Sequence, residues 1–490
     1  MKKYFILLLI LTCFRSRSYS QQADLIKTDT YYCTPCDNSC DTIAFDHPGF
    51  CPVCHMPLIK KMDKSQSLTA QIRNDYTGHW EGFARTTDQQ LKFSLDILTN
   101  TAVKVLFNAA DLNAMDVVAK NVLFTGDSIH FELAGDDATI NFNGFSKNGK
   151  LAGTLITDDR SVTAKNRTAF FYLHKVKANI VNYTIQEVSF HNGNVVLAGS
   201  LYLPLGSGKF PALVCNHSSG DKPRYDGAFM ADYLANRGIA VLIYDKRGNG
   251  QSTGDWKTSS FEDLADDCIA GVNFLKSIAQ IDDHLIGIFG HSQGATISPI
   301  IIDRCPDIAF NIAAAGFAVS PGEQDIFRVT NILNHQAHFS EKQTDSAIRF
   351  YKIWLEVART GNGWSEMENA NDKFKNATWY AWVAPPPKDN WIWNWYLKAG
   401  NYDYVPYWER VKIPTLLIYG DKDEVTPVKP SVDRIESALK KAGNKRYTVI
   451  IMPNAIHYFA QVKKKGDLWT QNTPGYLENI YHWIYNTCSK

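Results

Sequence analysis

Residues 290–294 read G-H-S-Q-G, a pattern that presents a serine hydroxyl for chemistry. The apolar run 285–289 precedes the pattern, and residues 295–302 can continue as a helix. A serine on a tight turn between a strand and a helix projects its hydroxyl above a sheet edge, and glycines flank it because side chains there would collide with neighbouring elements. Ser292 is therefore a candidate nucleophile, provided that a histidine can accept its proton.

A second copy of this pattern, G-Q-S-T-G at residues 250–254, lies in a different context. The apolar run before it leads into the polar loop 245–249, and Gly254 continues that loop, so no helix begins at Ser252. The glycine spacing also fails to match that of a dinucleotide-binding loop. We interpret Ser252 as a loop residue without a role in the chemistry.

A serine nucleophile needs a histidine base, and the base needs a carboxylate that orients it. In sheets of this kind the acid and then the histidine follow the serine along the chain. The apolar run 416–420 ends in an acidic turn, and His457 follows the run 449–452. The acidic residues of that turn are Asp421, Asp423 and Glu424. Because sites gather beyond the carboxyl ends of such strands, His457 stands out among the 13 histidines as the candidate base.

The elements that must position these residues are visible from about residue 182 onward. Short apolar runs alternate there with segments of helical period, which predicts a mostly parallel sheet with helices on both faces. The expected strands include residues 212–216, 239–244, 285–289, 415–419 and 447–452, and the expected helices include 228–236 and 261–277. Residues 64–178 instead show alternating apolar and polar positions, as in 91–97 and 129–133, which predicts a small antiparallel barrel or sandwich. We expect Trp80 to fill its core.

The region 182–490 resembles the α/β-hydrolases, close to the bacterial esterase and prolyl-oligopeptidase-like branch. The resemblance rests on residues 290–294, on Gly420-x-x-Asp423 followed by Pro427, on His457, and on D-K-R-G-N-G-Q-S at 245–252. It implies that Asp423 is the acid, whereas the chemistry alone also leaves Asp421 and Glu424 open. It also implies that residues 245–252 form a structural loop near the active site. The β-rich part is loosely similar to the lipocalin-like modules that precede some bacterial hydrolases.

Backbone N–H groups must stabilise the oxyanion that forms during such a reaction. The resemblance implies that one donor is Gln293, which follows the nucleophile. The other is expected in residues 217–220, which read H-S-S-G where the family often has H-G-x-G. Because serine replaces the usual glycine, the second donor is either Ser218 or Ser219.

An insertion rich in tryptophan, about residues 306–411, lies where this fold often carries a lid. Its tryptophans are Trp364, Trp379, Trp382, Trp391, Trp393, Trp395 and Trp408. One or two of them would hold an apolar or sugar-bearing acyl group and exclude water. The alternative is that these rings form the core of the lid itself.

Two C-x-x-C pairs lie in a cysteine-rich module at residues 24–63. The four thiols, which would close a tetrahedral site, belong to Cys33, Cys36, Cys51 and Cys54. Residues 48–58 resemble the heavy-metal-binding domain of bacterial copper and zinc transport proteins. The first pair of that domain is typically C-x-x-H, and in this sequence Cys36 stands where the domain has the histidine. The pattern predicts a Zn²⁺ or Cu⁺ site, with Cys40 and His55 as spare ligands and disulfides as the alternative. No cofactor is expected for the catalysis.

The N-terminus and the composition narrow the setting in which the protein acts. A basic start, an apolar run over residues 4–11 and small residues at 18 and 20 predict a cleavable secretory leader over residues 1–20, and hence a periplasmic or secreted protein. No segment is long enough for a stable membrane span. The 51 basic and 50 acidic side chains argue against a nucleic-acid partner. Nothing in the sequence indicates an oligomeric state.

These observations predict an exported serine hydrolase that cleaves small-molecule acyl esters through Ser292, His457 and Asp423. A peptidase of the prolyl-oligopeptidase-like type is the nearest alternative, because the same three residues can cleave amides. It is disfavoured because no propeller-type domain precedes the catalytic region. A third hypothesis, from a different class, is an inactive hydrolase fold on a metal-binding protein.

Overall fold

The computed structural model describes residues 31–33, 43–45, 51–53, 58–60, 76–98, 103–112, 114–125, 128–134, 139–177, 181–464 and 466–489. The described residues form two units. The α/β unit comprises Val181–Gln461 and the residues from Thr473 onward. The β unit comprises the described residues before Val181 together with Val462–Asn472. The expected leader at residues 1–20 lies outside the described residues.

The β unit contains two antiparallel sheets. The small sheet has the order β2-β1-β3, from β1 (Tyr31–Cys33), β2 (Ala44–Phe45) and β3 (Leu58–Lys60). The large sheet consists of β4 (Gly78–Arg85), β5 (Gln90–Leu98), β6 (Lys104–Ala109), β7 (Ala114–Val118), β8 (Lys120–Thr125), β9 (Ser128–Ala134), β10 (Thr139–Lys147), β11 (Lys150–Thr157) and β12 (Thr168–Val176). Short 3₁₀ turns lie at Ala110–Leu112 and Ala164–Asn166.

The large sheet is barrel-like, with the strand order β7-β6-β5-β4-β12-β11-β10-β9-β8. The two strands at the ends of this order, β7 and β8, are consecutive along the chain. Burial alternates along β5, as the period of two predicts, because successive side chains point to opposite faces. Trp80 is fully buried in this core, and its indole N–H donates to the Tyr76 carbonyl oxygen over 2.8 Å.

One strip of this β unit comes from the far end of the sequence. Val462–Asn472 belongs to it, although the expected domain boundary assigned residues 182–490 to a single domain. Trp469 is 4% exposed and lies in the core of the unit, and Gln89 bonds the backbone of Leu468 and Trp469. The β unit is therefore discontinuous in sequence.

The α/β unit is built on an eight-stranded sheet. Its strands are β13 (Tyr183–Asn192), β14 (Val195–Pro204), β15 (Phe210–Asn216), β16 (Ala240–Tyr244), β17 (Ile281–His291), β18 (Phe310–Ala314), β19 (Thr415–Gly420) and β20 (Tyr447–Met452). The spatial order is β13-β14-β16-β15-β17-β18-β19-β20. The pairs β13–β14 and β14–β16 are antiparallel, and the five remaining neighbouring pairs are parallel.

Helices connect these strands. They are α1 (Ala228–Ala235), α2 (Phe261–Lys276), α3 (Gln293–Thr296), α4 (Ser298–Arg304), α5 (Pro321–Asn331), α6 (Glu341–Thr360), α7 (Trp364–Phe374), α8 (Tyr380–Val383), α9 (Ile392–Ala399), α10 (Val405–Trp408), α11 (Val428–Lys441) and α12 (Tyr476–Cys488). A 3₁₀ turn lies at Arg224–Gly227 and a π-helical turn at Ile332–Gln336. Every residue of β16 is buried, which is the pattern of a parallel strand covered on both faces. Among the described residues, no helix combines the length and apolar character needed to cross a membrane.

Two local expectations differ from the structure. The insertion was expected to begin near residue 306, but Phe310–Ala314 forms strand β18 inside the sheet, and the helices of the lid begin only at Pro321. The helix expected over 295–302 is divided at Ile297 into α3 and α4. The five residues of β18, four of which are apolar, are too few for their period to separate a strand from part of a helical insertion.

Candidate active site

Ser292 lies on the sharp turn between β17 and α3. Its backbone has φ 53° and ψ −116°, and its N–H donates to the Ala314 carbonyl oxygen over 2.8 Å. A Cβ added at Gly290 would lie 2.3 Å from the backbone carbonyl carbon of Gly294, and one added at Gly294 would lie 2.5 Å from the Asn216 carbonyl oxygen. Glycine is thus required at both positions, as the sequence predicts.

The three predicted side chains form one continuous chain of hydrogen bonds. His457 Nε2 lies 3.0 Å from Ser292 Oγ, and His457 Nδ1 lies 2.9 Å from Asp423 Oδ2. Asp423 Oδ1 accepts from the backbone N–H groups of Val425 and Thr426 over 2.8 and 2.7 Å. These bonds fix the carboxylate, so that its second oxygen faces the imidazole.

Burial separates Asp423 from the other two acids of its turn. The Asp423 side chain is fully buried, whereas Asp421 and Glu424 are exposed. Asp421 forms an ion pair with Lys422, and Glu424 bonds His335 of the lid over 2.7 Å. Of the three candidate acids, Asp423 is the one that contacts the His457 ring.

A second histidine, which the sequence reasoning missed, holds the His457 loop. His291 Nε2 donates to the His457 carbonyl oxygen over 2.9 Å, and the two rings lie 5.1 Å apart. Burial, with the nearby His457, lowers the pKa of His291 to about 3, so His291 is neutral. It positions the loop and is not a second base. The only signal for it in the sequence was its place inside the G-x-S-x-G pattern.

The predicted oxyanion donors lie on two segments next to Ser292. Gln293 is the first residue of α3, where backbone N–H groups have no partner within the helix. Ser218 and Ser219 follow β15, whose last residue, Asn216, donates through its side chain to the Gly294 carbonyl oxygen over 3.1 Å. That bond ties the two segments together.

The second G-x-S-x-G copy has a structural role in the fold. Ser252 is buried, and its Oγ donates to the Asp245 carbonyl oxygen over 2.6 Å and accepts from the Ala198 N–H over 3.0 Å. Both Asp245 carboxylate oxygens accept backbone N–H groups, from Arg224 and Gln251. Ser252 therefore closes a loop, as its sequence context predicts.

The aromatic residues of the lid pack against one another. Trp354, Trp379 and Trp393 are buried in the core of the lid, and Trp408 is buried against the main sheet. The remaining predicted rings, which are Trp364, Trp382, Trp391 and Trp395, are partly buried against these cores. The structure thus places the tryptophans as packing residues, which was the alternative expectation.

The first helix of the lid holds the loop that carries Asp423. Gln324 Nε2 donates to the Val425 carbonyl oxygen over 2.8 Å, and Asn331 Nδ2 donates to that of Glu424 over 2.9 Å. These bonds join the lid to the two residues directly after the candidate acid.

The predicted metal site falls largely outside the described residues. Cys36 and Cys54 are among the residues that the structure does not describe, as are Cys40 and His55. Cys33 ends β1, and Cys51 is buried, with its sulfur accepting from the Val53 N–H over 3.4 Å. Within the described ranges, no group of three or more His, Cys, Asp or Glu side chains could hold a metal ion. The site stays a prediction.

Substitutions at Ser292 separate the conformational strain of its backbone from the chemical role of its hydroxyl. A non-glycine residue in this region of φ and ψ stores on the order of 1–3 kcal/mol, and glycine relieves it at some entropic cost. We expect Ser292→Gly to exceed Ser292→Ala in free energy of unfolding by about 1 kcal/mol, measured by urea denaturation. Equal stabilities would show that the turn is unstrained.

The chain is similar to several known proteins over part of its length. Residues 219–461 match the model of a family described as serine aminopeptidase, S33. The esterase EstD of Thermotoga maritima is 31% identical over 161 residues, which cover 31% of this chain and 38% of that protein. The polyketide transferase ATR5 of Stachybotrys chlorohalonatus is 31% identical over 29% of this chain and 47% of the relative. The esterase FrsA of Yersinia enterocolitica is 32% identical over 24% of this chain and 28% of that protein.

The chain spans less than half the length of each of these three relatives. The matched segment 219–461 contains Ser292, Asp423 and His457. Over parts of its length the chain is thus similar to a serine aminopeptidase family, to two esterases and to a polyketide transferase.

Proposed function

We propose that this protein is an exported serine hydrolase that cleaves carboxylic esters. The observation that carries the proposal is the hydrogen-bonded chain from Ser292 Oγ through the His457 ring to Asp423. An alcohol is a weak nucleophile unless a base removes its proton, and this arrangement supplies the base and the group that orients it.

The reaction follows from the positions of these atoms. Ser292 Oγ attacks the ester carbonyl carbon while its proton passes to His457 Nε2, and the carbonyl oxygen becomes an oxyanion. When the tetrahedral intermediate collapses, the bond to the alcohol oxygen breaks, and His457 returns the proton to that oxygen. Water, deprotonated by His457, then attacks the acyl-enzyme, and a second collapse releases the carboxylic acid and regenerates Ser292.

Asp423 supports both steps without accepting a proton. Its Oδ2 fixes the imidazole in the tautomer with hydrogen on Nδ1, so that Nε2 presents a lone pair to Ser292. Its negative charge also stabilises the imidazolium that forms in each transition state.

The nearest alternative is cleavage of an amide. The description of the matching family as serine aminopeptidase favours it, whereas the relatives EstD and FrsA favour an ester. The same three side chains serve both reactions, so they do not decide between them. We prefer the ester because two relatives carry that activity in their names.

Turnover of matched substrates tests this choice. We expect p-nitrophenyl esters of short acyl chains to be hydrolysed with a higher kcat/KM than aminoacyl p-nitroanilides, because an alcohol leaves more readily than an amine. Absorbance assays over a series of acyl lengths provide the measurement, with Ser292→Ala as the control for spontaneous hydrolysis. Faster cleavage of the anilides would assign the protein to the peptidases, and no turnover of either would favour the inactive metal-binding protein.

Export, and a Zn²⁺ or Cu⁺ site formed by the four cysteines of the two C-x-x-C pairs, stay predictions of the sequence. Cell fractionation with N-terminal sequencing of the mature chain tests the first. Metal analysis of the purified full chain, before and after thiol blocking, tests the second.

A further inference from the structure

Lys246 is a buried lysine two residues after the end of β16, and only 2% of it is exposed. Its Nζ donates to the Ser218 carbonyl oxygen over 3.0 Å, to the Gly220 carbonyl oxygen over 3.3 Å and to Gln293 Oε1 over 2.9 Å. All three acceptors lie on the two segments that carry the predicted oxyanion donors. One ammonium group therefore uses its three hydrogens to join those segments.

The bond to Ser218 also sets the direction of a neighbouring donor. In a trans peptide the carbonyl group of one residue and the N–H group of the next lie in one plane and point in opposite directions within it. Because Lys246 holds the Ser218 carbonyl oxygen, the N–H of Ser219 points away from the ammonium. Within the described residues, no protein acceptor is found for the N–H of Ser218, Ser219 or Gln293. The bond from Lys246 to the Ser218 carbonyl oxygen is therefore what separates the two serines.

We infer that Lys246 is a positioning residue that assembles the oxyanion hole, and that Ser219 rather than Ser218 provides the second donor. The inference rests on the proposed function, since it concerns the oxyanion of that reaction. Lys246 does not touch the reacting atoms; it acts through the loop 217–220 and through Gln293.

The surroundings of Lys246 make its charge dependent on pH. Burial, aided by the nearby Lys222, lowers the pKa of Lys246 to about 7, while Asp221 and Asp267 oppose the change. His217, on the same loop, is neutral because burial lowers its pKa to about 3. The Trp256 ring lies 4.8 Å from the ammonium, and its indole N–H donates to Asp221 over 2.7 Å.

Loss of a proton from the Lys246 ammonium group would remove one of the bonds that assemble the oxyanion hole. A neutral amine has two hydrogens and a lone pair, so one of the three acceptors would lose its bond. The cationic form is present below the folded pKa and is lost as the pH rises through about 7. The wild-type kcat should therefore decline on the alkaline side in step with this titration.

Two substitutions at Lys246 and one elsewhere test the inference. Lys246→Met keeps the length of the side chain without donors, and Lys246→Arg keeps a charge that does not titrate in this range. Lys441→Met is the matched control, because Lys441 forms an exposed ion pair with Glu409 at the end of α11. Circular dichroism and thermal unfolding establish that each variant is folded.

We expect Lys246→Met to lower kcat about 10²-fold with little change in KM, because the missing interaction acts on the transition state. Its affinity for a trifluoromethyl ketone, whose adduct with Ser292 carries an oxyanion, should fall by the same factor. The alkaline decline should be absent from both Lys246 variants and present in Lys441→Met. If Lys246→Met does not fold, the pH dependence of ketone binding by the wild-type protein provides the same test.

Wild-type kcat in folded Lys246→Met, or ketone binding that does not change with pH in the wild type, would overturn the inference. Undiminished turnover in Ser292→Ala would instead overturn the proposed function. An inactive Ser292→Ala beside an unimpaired Lys246→Met would reject the role of Lys246 alone.

Discussion

Replacing Ser292 by alanine is expected to lower kcat for a carboxylic ester by about 10⁴- to 10⁶-fold. The variant loses the only atom that forms the covalent bond to the acyl group. The His457 ring and the backbone donors remain, so a residual rate above that in water should persist. Steady-state kinetics and the mass of a fluorophosphonate adduct provide the measurement.

The second G-x-S-x-G serine is the matched control for this experiment. Ser252→Ala removes a hydroxyl from the same five-residue pattern, but that hydroxyl closes a structural loop. We therefore expect Ser252→Ala to keep its fluorophosphonate adduct at residue 292. An adduct that survives in Ser292→Ala and disappears in Ser252→Ala would reverse the assignment of the nucleophile.

Asp423→Asn is expected to lower kcat by about 10⁴-fold while the fold is preserved. The amide oxygen would retain the bonds from the Val425 and Thr426 N–H groups, which turns the amide nitrogen toward His457. Because that nitrogen only donates, it favours the tautomer of His457 with hydrogen on Nε2, which cannot accept the proton of Ser292. The measurement is kcat for an activated ester, with thermal unfolding as the check on structure.

Asp421→Asn and Glu424→Gln are the controls for the choice of acid. Both side chains are exposed on the same turn, and neither contacts the His457 ring. They should retain turnover close to that of the wild type. A loss in Asp421→Asn comparable to that in Asp423→Asn would remove the basis for assigning the acid.

The sequence alone predicted which three side chains lie together better than it predicted the residues that position them. Ser292 and His457 could be found because each follows an apolar strand, and the order of partners along the chain is constrained in sheets of this kind. The acid was harder to identify, because Asp421, Asp423 and Glu424 have the same chemistry and lie within one turn. Burial separates them in the structure, and burial in a turn leaves no periodic signal in a sequence.

The residues that position the site were beyond sequence reasoning for a physical reason. Lys246 bonds atoms 28 and 47 residues away, and Gln324 of the lid bonds the Val425 carbonyl oxygen 101 residues away. Such contacts depend on how strands are ordered in the sheet, not on local pattern. Strand β18 was missed for the opposite reason, because its five residues, four of which are apolar, carry too short a pattern to be recognised.

The strip Val462–Asn472 has a consequence for how the chain acquires its structure during synthesis. The core of the β unit is formed almost entirely by residues of β4 to β12, yet Trp469, which completes it, is made only after every strand of the α/β unit. The β unit therefore cannot complete its core until residues 462–472 have been made, and a shortened gene that begins at residue 181 would yield a product in which Trp469 lacks the core that buries it.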